Sequence, residues 1–509
     1  MDGDEYRRML PAFREASGKF YSGRMSVKEY KGISGGFGSY AQRGGEKGMV
    51  RLRLSGGAVD TDKLDFICGC IEKYGPEKIH ITTCQSVQLH GLSGDDIPEI
   101  ISEATEHGIL TYGGGGDYPR NVTATPLSGL IPCPFDVLPY AEAAGRFLLD
   151  YTAGKKLPRK LKVGFSCTAE NMTDATARDL GFIARDDGRF DVYSGGGLGN
   201  EPKLGLSVCE GAEAEDVLLH LAAMVDMFTA CGNYGDRSRA RVRYMRDTLG
   251  DGGYIARYRE ELEKVRARGD VPKVHPAPHT VRKKGDGSVP SAPRARPQVQ
   301  KGLFYLSYHP IGGDPTPEKM KEIRDVLRDM PGAEIRLGPN QTLYAVSLTG
   351  SEADRMSEVL SDGARTVFES SVSCVGNTIC QIGLRDSRGL LGRLISMERE
   401  NGFADGVLPM IRISGCTSSC AAHQLGTIGL RGCPSVDGEP AFEVSAGGSH
   451  VLGKERMGDV LGKVKESDLP AFFESIGKAV SASGKTFRSW YNDRPGGIRE
   501  VCGAYLHTQ

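Results

Sequence analysis

The sequence predicts an α+β fold of two similar halves, each with mixed sheets, related by a pseudo-two-fold axis. Three observations carry this. Short stretches that alternate apolar and polar residues and end at glycine turns read as strands. Between them, apolar residues recurring at three and four read as helices. Segments of the first half then recur, in the same order, in the second.

Residues 49–57, "MVRLRLSGG", alternate and stop at a glycine turn, and residues 303–313, "LFYLSYHPIGG", do the same. Gly57 and Gly313 are 256 apart, as are Gln85 in "TTCQ" and Gln341 in "GPNQ", and Asn121 in "RNVTA" and Asn377 in "GNTIC". Further on, "KVGFSC" at 162–167 matches "RISGC" at 412–416 with an offset of 249, pairing Cys167 with Cys416. "VYSGGG" at 192–197 matches "VSAGG" at 444–448 with an offset of 251. An offset that holds and then drifts marks a duplication followed by a deletion. Helical periodicity occupies 59–74, 96–108, 138–153, 213–230, 255–267, 317–330 and 387–401. The stretch 272–300, rich in Pro, Ser, Lys and Arg, lacks such a pattern and reads as a linker. The expected organisation is a first half at 1–271, a linker at 272–300 and a second half at 301–509, with a cleft between halves suited to a large ligand.

Composition narrows the function. Hydrophobic residues at 39% and charged residues at 25% are ordinary for a globular protein and sufficient for several cores. A net charge of −1 argues against a nucleic-acid or membrane binder acting by bulk electrostatics. No apolar run is long enough to span a membrane, and "MDGDEYRRML" lacks the apolar core of a signal peptide, so the expected location is cytoplasmic. In that reducing compartment 13 cysteines, an odd number, are not a disulfide framework, and a clustered subset reads as metal ligands.

That subset is Cys374, Cys380, Cys416 and Cys420, spaced C-x5-C and C-x3-C around the strand-like "LPMIRIS" at 408–414. From spacing alone an iron–sulfur cluster, a structural zinc and buried packing all stay open, although C-x5-C is a poor zinc knuckle. The first half carries cations instead: Arg51 and Arg53 on the first strand, Arg120 opening "RNVTATPLSGL", and Arg159, Lys160 and Lys162 in "LPRKLKVGFS". Alternation places Lys160 and Lys162 on one face, which suits either a solvated strand edge or an anion between them. The glycines of "DVYSGGGLG" at 191–199 form either a plain turn or a loop whose N–H groups approach an anion.

Taken together, "RNVTATPLSG", "LPRKLK", "SGGGLG", "TTCQSVQLHG", the cysteine pattern and the duplicated halves resemble the sulfite and nitrite reductase family over nearly the whole chain. Members of that family hold sirohaem beside a 4Fe–4S cluster in the cleft between duplicated halves, each half with a ferredoxin-like repeat. The resemblance implies that Cys374, Cys380, Cys416 and Cys420 ligate the cluster, and that Cys420 is also the axial ligand of the sirohaem iron. It implies that Arg51, Arg120, Lys160 and Lys162 bind the substrate anion. Arg159, Gln88, His90 and the glycine loop, with Gly195, Gly196 and Gly197, would help hold the sirohaem carboxylates. Three positions depart from the family pattern: Cys84 stands where most relatives have Arg, Thr125 where many have Cys, and Thr417 where "GCPNSC" has Pro.

The resemblance leaves sulfite and nitrite as substrates. Plant-type nitrite reductases resemble the "PRKLK" strand but tend to carry Asn at the position of Lys162. Two lysines suit dianionic sulfite better than monoanionic nitrite, so six-electron reduction of sulfite to sulfide is the expected activity and reduction of nitrite to ammonia the alternative. No flavin or nicotinamide module is visible, so a separate ferredoxin-type donor is expected. Arg282, Lys283, Lys284, Arg294, Arg296 and Lys301 are either a donor contact or a solvated charge run. The competing readings are a cobalamin-pathway enzyme of the same superfamily that modifies a tetrapyrrole, and a structural zinc protein. A duplicated chain contains its own pseudo-dimer, which is compatible with a monomer.

Overall fold

The computed structural model describes residues 3–277 and 279–507, which divide into two units. One takes the chain up to Gly197, Lys203–Tyr308 and Asp314–Asp362; the other takes Leu198–Pro202, His309–Gly313 and the chain from Gly363. The first unit opens with helices α1 (Gly3–Tyr21) and α2 (Val27–Ser34). Strands β1 (Ser39–Ala41), β2 (Gly48–Arg53), β3 (Ala58–Val59), β4 (Lys78–Ile81) and β5 (Ser86–Leu92) follow, with helices α3 (Thr61–Tyr74) and α4 (Asp96–Ala104). Four of these strands form an antiparallel sheet ordered β1-β2-β5-β4. Its one face buries Val50, Leu52, Ile79, Ile81, Val87 and Leu89 in the core that includes α3 and α4, as period-two alternation requires.

The next module has β6 (Thr123–Ala124), α5 (Leu138–Tyr151), β7 (Val163–Ser166), β8 (Leu180–Ala184), β9 (Phe190–Ser194), β10 (Leu206–Ala212), α6 (Val217–Cys231) and α7 (Met245–Arg268). Its sheet runs β10-β9-β8-β7-β6, with β6, β7 and β8 parallel and β9 and β10 antiparallel. The unit closes with β11 (Arg296–Pro297), β12 (Phe304–Tyr308), α8 (Pro317–Arg328), β13 (Glu334–Leu337), β14 (Leu343–Leu348) and α9 (Gly350–Val359), in a sheet ordered β11-β12-β14-β13-β3.

This last sheet repeats the first at an offset of 256. Gly56 and Gly57 have φ of 65° and 77°, and Gly312 and Gly313 have 63° and 77°. Asp60 caps α3 on Lys63 N–H, and Thr316 caps α8 on Lys319 N–H. Gln85 and Gln341 both take left-handed backbone, at φ 52° and 65°. The 272–300 stretch therefore lies inside the first unit. The ferredoxin-like repeat after it shares one hydrophobic core with the repeat that opens the chain, and β3 crosses to pair Val59 with Ile335.

The second unit has β15 (Val372–Ser373), α10 (Ser387–Asn401), β16 (Ile411–Ser414), β17 (Ile428–Val436), β18 (Glu439–Ala446), β19 (Asp459–Lys465) and helices α11 (Leu469–Ser483), α12 (Phe487–Asp493) and α13 (Gly497–Cys502). Its order, β15-β16-β17-β18-β19, and its strand directions are those of β6 to β10. Register sets the true equivalences. Thr123 pairs with Gly164 as Val372 pairs with Arg412, so Asn121 corresponds to Ser370 and not to Asn377. Leu180 pairs with Ser194 as Ile428 pairs with Ala446, so Gly195 corresponds to Gly447, one residue away from the alignment by glycine runs.

Gln85, wholly buried, locks the first unit. Its Nε2 donates to Gly56 O at 3.1 Å, Ala124 O at 2.9 Å and Leu337 O at 2.6 Å, and its Oε1 accepts from Ala124 N at 2.8 Å. Replacing Gln85 with Ala strands these backbone groups and keeps a left-handed backbone without the amide. We expect a loss of about 3–5 kcal/mol in urea unfolding; a loss within ~0.5 kcal/mol would show that the amide is not a keystone.

Candidate functional site

The second face of the β1-β2-β5-β4 sheet is polar. Alternation puts Arg51 and Arg53 on it from β2, Gln88 and His90 from β5, and His80 from β4. Register aligns Arg51 with Gln88 and Gln88 with His80, and sets His90 between Met49 and Lys78. With the Gln88 amide oxygen turned to the guanidinium, Arg51 Nε and Nη2 donate to it at 3.2 and 2.7 Å. His80 Nδ1 lies 2.8 Å from Asp314 Oδ1. His90 is 2% exposed, and neither ring nitrogen has a hydrogen-bond partner. Burial, with His80 adding to it, pushes its pKa down to about 3, so the ring is neutral.

The arginines of this region share an anchor that the motifs do not announce, the four consecutive glycines Gly113–Gly116. Arg51 Nη1 donates to Gly114 O, and Arg53 Nη1 donates to the neighbouring Tyr112 O at 2.6 Å. Arg120 Nη1 reaches Gly115 O at 2.6 Å and its Nη2 reaches Gly116 O at 2.7 Å. Glycine is needed at the close approaches: a Cβ on Gly115 would lie 2.6 Å from Gly35 O. Burial lowers Arg53 to about 9 and Arg120 to about 10, so both remain cations at neutral pH.

Lys160 and Lys162 flank Leu161, which is fully buried and runs beside Tyr118–Arg120 through Arg120 N to Leu161 O at 2.8 Å. With Leu161 facing the core, the two lysines project from the other side, each half-buried. Arg159 pairs with Asp117 at 2.8 Å, and Arg237 pairs with the same carboxylate. Asp179 has a fully buried side chain; it accepts from Lys162 N at 2.7 Å and from Arg241 Nη2 at 2.9 Å.

The glycine loop differs from its expected role. The N–H groups of Gly195, Gly196 and Gly197 donate to Asp179 O, Arg178 O and Lys203 O at 3.2, 3.1 and 2.9 Å. These amides are therefore committed within the protein, and the loop does not offer them to an anion. What the glycines supply is close approach, since a Cβ on Gly197 would lie 3.2 Å from Arg243 Cδ and 3.7 Å from Arg241 Nη2. The alternating arginines of "DRSRARVR" at 236–243 are the signal in the sequence for this second basic group.

Cys84 sits in the Thr82–Ser86 turn, with Asn121 Nδ2 donating to its carbonyl at 2.8 Å. Burial raises its thiol pKa, but Lys162, Arg178, Arg51 and Arg120 outweigh burial and bring it down to about 7.

In the second unit, Cys374 follows β15 and Cys416 follows β16, at the same ends of adjacent parallel strands. Gly415 N donates to Cys374 Sγ at 3.2 Å, and Ser387 Oγ lies 3.2 Å from the same sulfur. Leu384 N and Arg385 N both donate to Gly415 O, which ties the Cys380 loop to the Cys416 turn. Burial raises the Cys380 thiol, and the nearby Cys374 and Cys416 thiols raise it further. Cys420 is exposed. Among the described residues no three His, Cys, Asp or Glu side chains are drawn into a ready metal-ligand set.

The turn that carries Cys416 and Cys420 has a twin without cysteines in the first unit, at an offset of 248. Asn171 and Asp174 take left-handed backbone at φ 45° and 52°, and Ser419 and Ala422 do so at 53° and 55°. Asn171 bonds to Thr176 as Ser419 bonds to Gln424. Cys167 N donates to Thr125 Oγ1 at 3.1 Å, the counterpart of Gly415 N on Cys374 Sγ. Cys167 is thus the equivalent of Gly415, and Thr125 that of Cys374. Cys416 and Cys420 fall opposite Thr168 and Met172.

The donor chemistry fits both groups that the sequence resemblance implies. Neighbouring thiols with amide and hydroxyl donors on sulfur suit an iron–sulfur cluster. Clustered cations, with buried unpartnered atoms at both His90 ring nitrogens and Arg241 Nε, suit a carboxylate-rich ring.

A cation-rich face and a thiol-bearing edge on a duplicated α+β scaffold fit an iron–sulfur oxidoreductase. Comparison with known proteins names its kind. The nitrite/sulfite reductase ferredoxin-like half domain matches residues 40–107, and the nitrite and sulphite reductase 4Fe-4S domain matches residues 115–266. The assimilatory ferredoxin-dependent nitrite reductase of Haloferax mediterranei is 25% identical over 92% of this chain and 86% of its own. The sulfite reductase [NADPH] hemoprotein beta-component of Bacillus licheniformis is 27% identical over 75% of this chain and 73% of its own. The solved structure of the Mycobacterium tuberculosis NirA protein, 22% identical, shares the fold with a TM-score of 0.77 over 94% of this chain and 93% of its own. Residues 40–107 and 115–266 thus match domains of the nitrite and sulfite reductase family, and the relatives similar to the chain along most of its length carry the names of that family. These matches imply sirohaem and a 4Fe–4S cluster as its cofactors. Among the described residues no helix is long and apolar enough to cross a membrane.

The field at Cys84 is directly measurable. Alkylation by iodoacetamide, followed at this residue by peptide mass spectrometry on cofactor-free chain, should rise with a midpoint near pH 7, because the thiolate is the reactive form. In Lys162→Ala the midpoint should move toward that of an ordinary thiol. A midpoint near 9 in the parent chain would remove the cations from this account.

Proposed function

We propose that the chain catalyses the six-electron reduction of sulfite to sulfide, with electrons delivered by a separate ferredoxin-type donor. The feature that carries the choice of substrate is the pair Lys160 and Lys162, two half-buried cations on either side of the buried Leu161, whose carbonyl accepts from Arg120 N. A dianion gains more than a monoanion from two adjacent cations, since each added charge is attracted by both. When bound, sirohaem and the cluster supply the iron site and the electron path.

In this reading Arg51, Arg120, Lys160 and Lys162 bind the oxyanion and stabilise charge as its bonds to oxygen break. Lysine can also act as a proton donor. Arg51 and Arg120 are held in place by the glycine carbonyls, so ordering them on binding costs little. His90 and Gln88 would help hold the haem carboxylates, as would Arg159, which also pairs with Asp117. Cys374, Cys380, Cys416 and Cys420 would hold the cluster, and Cys420 would also serve the sirohaem iron. Ferredoxin dependence is supported by relatives whose names state it.

Nitrite is the second reading, favoured by relatives named as nitrite reductases, among them those of Haloferax mediterranei and Synechococcus elongatus. Anaerobically purified protein should show sirohaem absorption, iron and sulfide, and its steady-state kcat/KM should be higher for sulfite than for nitrite with one reduced donor. A nitrite value more than about tenfold higher would reverse the assignment, a gap of ~1.4 kcal/mol in transition-state binding. Lys162→Asn should shift the ratio toward nitrite. Cys420→Ser should abolish turnover, and in the cofactor-free chain it should leave stability within ~0.5 kcal/mol, because the side chain is exposed there.

A further inference from the structure

Cys374 Sγ has two hydrogen-bond partners of different kinds. Gly415 N donates to it at 3.2 Å, and Ser387 Oγ lies 3.2 Å away. Ser387 is wholly buried and is the first residue of α10. Its place is fixed from both sides. The Asp386 carboxylate caps the helix, accepting from Arg388 N at 3.2 Å and Gly389 N at 3.0 Å. Opposite, Gly376 at φ 73° lets the Cys374 segment come close, since a Cβ there would lie 3.2 Å from Ser387 Oγ.

The Ser387 hydroxyl has one proton and two acceptors within reach. It donates to Cys374 O at 2.9 Å, and Ser373 Oγ donates to the same carbonyl at 3.2 Å. While Cys374 is a thiol, its S–H can point at Ser387 Oγ. Ligation removes that proton, because the thiolate is the ligand form. The hydroxyl can then turn to the sulfur, and Ser373 keeps the carbonyl satisfied.

The first unit shows that this hydroxyl accompanies the thiol. At the start of α5, Asp136 Oδ1 accepts from Leu138 N at 3.0 Å, as Asp386 Oδ1 accepts from Arg388 N. Val137 therefore stands where Ser387 stands, and Thr125 where Cys374 stands. The backbone donor, Cys167 N or Gly415 N, is common to both copies. At this position the side-chain donor belongs to the copy that carries the thiol.

We propose that Ser387 donates a hydrogen bond to the Cys374 thiolate and so raises the midpoint potential of the bound cluster. The inference rests on Cys374 being a cluster ligand. One electron from the donor adds negative charge that spreads onto the ligand sulfurs. A hydrogen bond to sulfur therefore stabilises the reduced state more than the oxidised one. Gly415 N supplies a fixed part of this effect, and Ser387 supplies the part that a side chain can vary.

The test uses the cofactor-loaded full chain, purified anaerobically. The cluster is titrated against redox mediators, and its reduced form is counted by electron paramagnetic resonance. Ser387→Ala should keep the parent's iron and sulfide but titrate at a lower potential. At the parent's midpoint its reduced-to-oxidised ratio should fall about three- to tenfold, the worth of one hydrogen bond. Ser387→Thr, which keeps the hydroxyl, should titrate with the parent. Cys374→Ala should lose cluster iron and sulfide. A Cys374→Ala chain that keeps a full cluster breaks the ligand assignment and this inference with it. If Cys374→Ala loses the cluster but Ser387→Ala titrates with the parent, the ligand assignment stands and the role of Ser387 falls. A Ser387→Ala chain that holds no cluster also overturns the proposal, because the residue would then serve assembly and not potential.

Discussion

The first unit is organised around one buried amide. Gln85 stands where the turn after β2, the strand β6 and the end of β13 converge, and it satisfies polar groups from all three. No other common side chain combines donor and acceptor at that reach. A buried carbonyl left without a donor costs about 1–3 kcal/mol, so the three segments are held together by the penalty for parting as well as by the bonds. Asn121 extends the lock. Its Nδ2 donates to Leu54, Cys84 and Gln85 carbonyls, so the Cys84 turn and the Arg120 segment are fixed by the same few atoms.

That rigidity lets so many cations be crowded. Arg51, Arg53 and Arg120 repel one another, yet their N–H groups meet the carbonyl dipoles of one glycine run and of Tyr112 just before it. The dipoles satisfy the guanidinium groups without neutralising them, whereas carboxylates would cancel the charge. Arg159 shows the other arrangement: Asp117 pairs with it and with Arg237, so its charge is largely compensated locally. Cys84 registers the surplus field, since four cations outweigh the burial of its sulfur.

Periodicity and repetition make much of this legible in the chain itself. Every stretch with helical periodicity contains a helix, and the 256-residue offset holds through glycines, caps and left-handed glutamines. The failures have physical causes. Identity of residue type aligns Asn121 with Asn377 and Cys167 with Cys416, whereas strand register decides the equivalence and decides it otherwise. The SGGG loop looks like a source of free amides because sequence does not say where an N–H is directed. The 272–300 stretch looks like a boundary because its composition is linker-like, while the shared core that joins the modules on either side of it is a long-range property. The alternating arginines at 237–243 are visible, but nothing local ties them to Gly197.

Duplication explains how the thiol edge can be built. Thr125 and Cys374 accept the same backbone N–H at equivalent places, and the two left-handed residues of each following turn coincide. The turn therefore forms from backbone and polar contacts that the copy without cysteines at the positions of Cys374, Cys416 and Cys420 also makes. Its backbone shape does not depend on a cluster to impose it. One copy could acquire thiols at Cys374, Cys416 and Cys420 without rebuilding the turn, while the other kept Thr125, Thr168 and Met172 and left its strands to carry Lys160 and Lys162. The two copies thus hold one backbone in common and divide the chemistry by side chain alone.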